Sequence, residues 1–462
     1  MKKDWLWLLV PVLFCGFPYL RGGLVWDDAY LLVELLPYQN WFDIWLSPVG
    51  GGSVGEGYYR PLSMTLLKLL GRPSAIHIAV LSFHLLSCWT LYQLSKRNVV
   101  ATLLFGCHPL ASEVLGWASA LPDAVASCFG LLALLSLQRE KRWGFILFSF
   151  LGLLAKESAI LPILMGVIFF ARYRTLFCGI LLSYALLRIR ATQQSPEMEL
   201  FSAIEAVQSY LWLLSSIIIP YPLTAVRELH VTPTWTLPIG VIVWISSLYI
   251  AVKGEKIQRI GFGILCLSPL IALPTILEAN LAAERYAYLS LAGLALIASP
   301  WKLSLVRTVP ILLMISFPLH LSRSSAWQSD QHLFRSATEA TPTSSYAWHF
   351  LGHVYLRDQS PKQAAIAFEN AIQHGHPYPN DHTLLLIALV QSEQYIRALQ
   401  LAESGPKENL TAEHIAWWAR AAGEVGNVKR SQALFQMLVQ PDGSYDGPAW
   451  VKDYVHSKGD RP

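Results

Sequence analysis

From Trp5 to Leu321 the chain is one apolar run after another, broken only by short basic clusters and Pro- or Gly-containing turns. The runs lie at about 4–20, 77–95, 98–110, 120–137, 143–156, 158–171, 175–189, 237–252, 259–277, 286–300 and 304–321. A helix needs about 20 apolar residues to cross an average bilayer, so the shorter runs must tilt, thin the bilayer or meet water early. The pattern predicts an all-α, polytopic membrane domain of about eleven spans. Charged residues make up 14% of the 462 residues, against roughly 25% in soluble proteins. The deficit ends near residue 321; residues 322–462 read like a soluble domain. The expected organisation is a membrane domain over 1–321, a linker over 322–345 and an α-helical domain over 346–462.

Lys and Arg bias sets orientation. Lys2 and Lys3 place the N-terminus in the cytoplasm. Lys96–Arg97, Arg139–Arg142, Arg172 with Arg174, Lys253–Arg259 and Lys302 then all fall inside. This holds only if the apolar stretch 205–221, flanked by Pro220, Pro222 and Pro233, is a re-entrant or interfacial hairpin. The loop 21–76 and the C-terminal domain are then outside. The opening "MKKDWLWLLVPVLFCGFPYL" lacks a small-x-small cleavage site and reads as a retained first helix. The net charge of +4 is spread over these topology clusters, which argues against a nucleic-acid surface. Cys15, Cys88, Cys107, Cys128, Cys178 and Cys266 lie in or beside apolar runs without metal spacing. They read as small core residues.

In the C-terminal part, "WHFLGHVY" sets Trp348, Leu351, Gly352 and Tyr355 in the spacing W-x2-L-G-x2-Y, followed by Ala364, Phe368 and Ala371. This is the tetratricopeptide signature. A degenerate repeat follows on Ala388, Tyr395, Ala398 and Ala402. A third centres on Trp417 and Ala433, with Trp417 about two periods of ~34 residues beyond Trp348. Such helix pairs stack into an α-solenoid with a groove, whose ordinary use is protein or peptide binding; a packed cap without a partner is the bland reading.

Five segments bring ionisable residues to one predicted membrane face. They are Trp26-Asp27-Asp28, Tyr59-Arg60-Pro61-Leu62, "HPLASEVLGWASALPD" with His108, Glu113 and Asp123, Lys156-Glu157, and Glu284-Arg285 in "AERYAYL". Charges at that depth are costly and mark function. A carboxylate can take a proton from an attacking hydroxyl. Arg60, Lys156 and Arg285 can hold a phosphate and neutralise the charge growing on it as it leaves. A cleft in a membrane suits a donor with a lipid tail. The set therefore suggests transfer of a group from a lipid-linked phosphate to a hydroxyl. Simpler roles compete. Asp28 can cap a helix starting at Ala29. Adjacent residues do not share a helix face, so one Asp points at substrate, and Asp27 is favoured. His108 can end a helix before Pro109. His77 and His84 read as interhelical hydrogen bonders. Lys156–Glu157 and Glu284–Arg285 can be local ion pairs. His108, Glu113 and Asp123 are candidate ligands of a divalent cation.

Taken in order, with "LLAKES", "PYPLTAVREL" and the terminal repeats, these motifs resemble the transmembrane-and-tetratricopeptide-repeat O-mannosyltransferases, a GT-C glycosyltransferase family. The resemblance covers nearly the whole chain. It implies a GT-C fold and transfer of mannose from a polyprenyl-phosphate carrier to protein Ser/Thr on the non-cytoplasmic side. It implies Asp27 or Asp28 as base, Arg60, Lys156 and Arg285 at the lipid phosphate, and His108, Glu113, Tyr59, Glu157 and Glu284 in support. It also implies partners: a lipid-linked sugar, membrane lipid and a protein or peptide acceptor. The chain departs from the family in having Leu121-Pro122 before Asp123, and Arg227-Glu228 near where the family has an Asp. Its short loops suggest a bacterial relative in the inner membrane, using undecaprenyl phosphate. Two other classes compete: an inactive membrane-anchored repeat scaffold, and a transporter of lipid-linked sugars.

Overall fold

The computed structural model describes residues 4–49, 58–191, 203–273, 276, 281–375, 378, 380–405, 410–439, 445, 447–451 and 454–455. Among these the chain is mainly helical, with two two-residue strands. It divides into two compact units, Met1–Ser336 and Ala337–Pro462.

In the first unit, among the described residues, four helices are long and apolar enough to cross a membrane: Pro73–Leu94, Ala118–Gln138, Thr236–Lys253 and Leu305–Ala326. A fifth span results if Val99–Gly106 and Pro109–Gly116, bent by 46°, count as one. Other expected spans form shorter helices, such as Arg142–Ala155 and Ile160–Phe169. These fall short of the ~20 residues a crossing requires, because Lys156 and Glu157 interrupt the apolar run between them. The stretch expected as a hairpin at 205–221 is instead a continuous helix, Ala203–Ser216, packed against Thr236–Lys253. It is followed by a turn that exposes Ile218, Ile219 and Tyr221, and then by an extended segment buried from Leu223 on.

The centre of this unit is Ala118–Gln138, whose apolar window is 94% buried, against 17% for Leu305–Ala326. Its Leu and Ala side chains pack on Pro73–Leu94, Arg142–Ala155 and Ile160–Phe169. Lys256–Ile271 and Tyr288–Ile297 form a second tight pair. The first and last apolar helices of the unit meet through Phe14 on Phe317 (3.9 Å between ring centroids) and Tyr19 Oη on His320 Nδ1 (3.0 Å). A two-residue ribbon, β1 (Arg227–Glu228) antiparallel to β2 (Leu281–Ala282), pairs Arg227 with Ala282 and Glu228 with Leu281. His77 and His84 act as interhelical hydrogen bonders: His77 Nδ1 meets the Leu115 carbonyl, and His84 bridges Tyr288 Oη and the Gly106 carbonyl. Five cysteines are buried, but Cys178 is exposed, a correction to its expected core role.

The second unit contains the helices Ser345–Arg357, Pro361–Gln373, Asp381–Gln391, Tyr395–Ser404, Ala412–Glu424 and Val428–Gln436. Consecutive helices pack on one another. Gly352 has a steric reason to be glycine: a Cβ there would lie 2.7 Å from the Phe368 ring. Ala364, Phe368, Ala371, Ala388, Ala398 and Trp417 are buried as the spacing predicts. Ala433 is exposed; its neighbours Ser431 and Leu434 are buried instead.

Candidate functional site

The site begins at a strained corner. Trp26 has φ +57°, a conformation that a bulky residue adopts only where its surroundings enforce it, at a cost of order 1–3 kcal/mol. Its ring stacks on Trp117 at 5.3 Å and meets Phe334 edge-on at 6.1 Å. Its N–H donates to Asp330 Oδ1 at 2.7 Å.

The corner sends the two following carboxylates in different directions. Asp28 is fully buried. Its Oδ2 accepts the Val25 N–H at 3.0 Å. Its Oδ1 accepts the Ser119 N–H at 2.8 Å and the Ser119 hydroxyl at 2.5 Å. Those bonds reach back along the chain and across to the start of the central helix, so Asp28 is a tie between elements. It is neither the forward helix cap nor a group open to substrate. Burial raises it to about 6, against the pull of the Ser119 and Val25 bonds. Asp27 lines the cleft and is exposed to it. Its carboxylate makes no hydrogen bond or ion pair among the described residues. Burial raises its pKa above the ordinary carboxylate value; Arg285 acts to lower it and Asp330 to raise it.

The cations converge, but not with their chain neighbours. Lys156 Nζ binds Asp123 Oδ1 at 2.7 Å, while Glu157 takes Arg60 through two hydrogen bonds, the shorter 2.6 Å. Arg285 binds Glu113 through both its guanidinium and its backbone N–H. Glu284 turns the other way, to Arg323 at 3.2 Å and to the Thr224 N–H. Neither doublet is the local ion pair that sequence adjacency suggested. Each crosses between elements because successive residues of an extended or turning backbone point apart. Arg285 is further fixed over the Trp117 and Tyr286 rings, 4.7 and 4.8 Å from their centroids.

Asp27, Arg60, Asp123, Lys156, Glu157 and Arg285 line one cleft of ≈ 470 Å³. Tyr30, Tyr58, Trp117, Ser119 and Tyr286 add polar or aromatic surface, and Leu31, Leu35, Met64, Ile271 and Leu289 supply an apolar wall. Such a lining suits an amphiphile with an anionic head and a hydrocarbon tail. Every cleft cation already faces a carboxylate, which leaves Asp27 as the acid without a hydrogen-bonded partner among the described residues.

Five expected members lie outside the cleft lining: Asp28 and Glu284, placed above, and Tyr59, His108 and Glu113. Tyr59 is buried, with its hydroxyl on the Trp45 carbonyl at 3.0 Å; Tyr58, over which Arg60 sits at 4.4 Å, is the tyrosine in the cleft. His108 caps the turn Pro109–Ala111 through Nδ1 and holds the Ile217 carbonyl through Nε2. Glu113 sits behind Arg285. The set His108, Glu113 and Asp123 is therefore no joint metal site: the three are engaged with Ile217, Arg285 and Lys156 respectively. Among the described residues no group of three or more His, Cys, Asp or Glu could hold a metal ion.

Sequence reasoning missed Ser119, Tyr58, Arg323 and Asp330. Tyr58 was overlooked for its neighbour. Arg323 and Asp330 fall in the stretch read as linker, although Arg323 follows an apolar run at one turn's distance from its end, the position of a membrane-edge charge.

No family model matches the chain. A segment is 28% identical over 142 residues to human protein O-mannosyl-transferase TMTC3, covering 28% of this chain and 15% of that protein. This likeness, partial as it is, and the apolar helices agree with a membrane protein of glycosyltransferase-like or repeat-containing type.

Proposed function

We propose that the chain is a membrane glycosyltransferase of the GT-C type, which moves a sugar, mannose in the first instance, from a polyprenyl phosphate to a hydroxyl. The acceptor in this reading is protein Ser/Thr, presented by the tetratricopeptide-like helices on the non-cytoplasmic side. The observation that carries the proposal is the unpaired Asp27 carboxylate in an amphipathic cleft shared with Arg60, Lys156 and Arg285.

In the proposed step Asp27 takes the proton of the acceptor hydroxyl. The hydroxyl oxygen bonds to the anomeric carbon, and the bond from that carbon to the phosphate oxygen breaks. Its electron pair leaves with the lipid phosphate, and the sugar inverts. Arg285 and Lys156, with Arg60 beside them, exchange part of their carboxylate contacts for phosphate as its charge grows. Asp28 takes no part in proton transfer.

The test is transfer from a radiolabelled polyprenyl-phosphate sugar in membranes containing the protein. Wild-type transfer, lost in Asp27→Asn at equal expression, supports the assignment; full activity in Asp27→Asn rejects it. A second reading, an inert membrane anchor for a repeat scaffold, is favoured by the pairing of every cleft cation. It predicts no transfer by the wild type and a function that follows the repeats alone.

A further inference from the structure

We infer that Asp330 is a positioning residue for Asp27: it holds the corner that aims Asp27 into the cleft, and it sets a second carboxylate beside that base. The inference rests on the reading of Asp27 as the base and adds to it a residue more than 300 positions away in the chain.

Asp330 opens the helix Asp330–Ala340. An acid there ordinarily serves the positive end of its own helix. That need is met by Ser329, whose hydroxyl accepts the His332 N–H at 3.4 Å. Asp330 Oδ1 instead accepts the Trp26 N–H at 2.7 Å, across 304 residues. Trp26 is the residue with φ +57°. A left-handed tryptophan persists only while its neighbours over-determine it. Three fixings do so: the aromatic contacts with Trp117 and Phe334, the Asp28–Ser119 bonds one residue further on, and the Asp330 bond. The last acts on the backbone of Trp26 itself, immediately before the base.

The same carboxylate is also a like charge beside Asp27. The groups around Asp27 are Arg285, Asp330 and the buried Asp28 next to it in sequence, with the Lys156–Asp123 and Arg60–Glu157 pairs elsewhere in the cleft. Arg285 favours the ionised form of Asp27; Asp330 favours the protonated form. A base beside one cation alone would be weak, because its charge would already be satisfied. Asp330 offsets Arg285 and keeps Asp27 able to receive a proton at working pH.

The two roles separate by substitution. Asp330→Asn keeps an oxygen for the Trp26 N–H and removes the charge; Asp330→Ala removes both. The readout is the pH dependence of carbodiimide modification of Asp27, which reports its protonated form, measured by peptide mass spectrometry on the purified full-length protein. In Asp330→Asn the modification should fall away at lower pH than in wild type. In parallel transfer assays, Asp330→Asn should keep KM and move the acid limb of the kcat profile to lower pH. Asp330→Ala should lose kcat at every pH, on the order of 10²-fold for a misplaced group. An unshifted modification profile in Asp330→Asn, or full kcat in Asp330→Ala, overturns the inference. The modification profile reads Asp330 whether or not transfer is detected, while full activity in Asp27→Asn rejects the base assignment itself, so the two failures are distinguishable.

Discussion

The two units bury polar groups in opposite ways. In the second, the interior is mainly Ala, Leu, Trp and other apolar side chains, and the one buried side-chain ion pair among the described residues is His349 Nδ1 with Asp381 Oδ1 at 2.5 Å. That link joins the helices Ser345–Arg357 and Asp381–Gln391. In the first unit, Glu113, Glu284, Arg323, Asp123 and Lys156 are all buried, and the Asp123–Lys156 pair and Arg285, the partner of Glu113, line the cleft. Buried ion pairs are weak stabilisers compared with apolar packing. A unit that gathers several of them at one place has a use for charge there, whereas the second unit uses shape.

The contrast can be broken by substitution. The largest effect is expected on chemistry: Asp27→Asn should reduce sugar transfer by about 10²–10⁴-fold, the usual worth of a general base, while leaving folding intact. Asp28→Asn should instead lower the yield of folded protein, read by size-exclusion chromatography in detergent. Next comes Arg323→Ala, which strands Glu284 in the interior. About 3–5 kcal/mol of stability should be lost, seen as a lower melting temperature. In the second unit the counterpart is steric: Gly352→Leu pushes against Phe368 and should cost about 1–3 kcal/mol. Hydrogen exchange on the full chain should show the loss at Ser345–Gln373. A smaller effect concerns pH. Asp28 binds its proton up to about pH 6 when folded, against a reference value of 3.8. Between these values the folded state holds more protons than the unfolded one, so stability falls as pH rises through the window. Asp28→Asn should flatten that slope in a melting series. The smallest is Lys96→Ala. Its pair with Glu255 is 69% and 61% exposed, so the loss should stay under about 1 kcal/mol.

The same contrast explains what the sequence disclosed. Tetratricopeptide spacing is local: Trp348, Leu351, Gly352 and Phe368 lie within one helix pair, so a linear pattern carries the three-dimensional contact. Apolar runs likewise announced the apolar helices of the first unit, yet not where Lys156–Glu157 or the bend near His108 would divide a run. The cleft residues Asp27, Arg60, Lys156 and Arg285 were found by type and by their place at run ends. Their partners were not, because Glu113–Arg285 and Arg323–Glu284 join segments far apart in the chain, and no periodicity encodes that. Asp27 and Asp28 were indistinguishable as letters; the left-handed turn at Trp26 separates them, and nothing in a Trp-Asp-Asp string discloses a backbone angle.

The crossed doublets also bear on how such a protein can change over generations. Lys156 and Glu157 each answer to a different distant residue, as do Glu284 and Arg285, so substituting one letter orphans a charge in another segment. Viable descendants should alter 123 together with 156, 60 with 157, 113 with 285 and 284 with 323. Aligned relatives should then display those four columns as covarying couples, with few singly altered forms surviving between them.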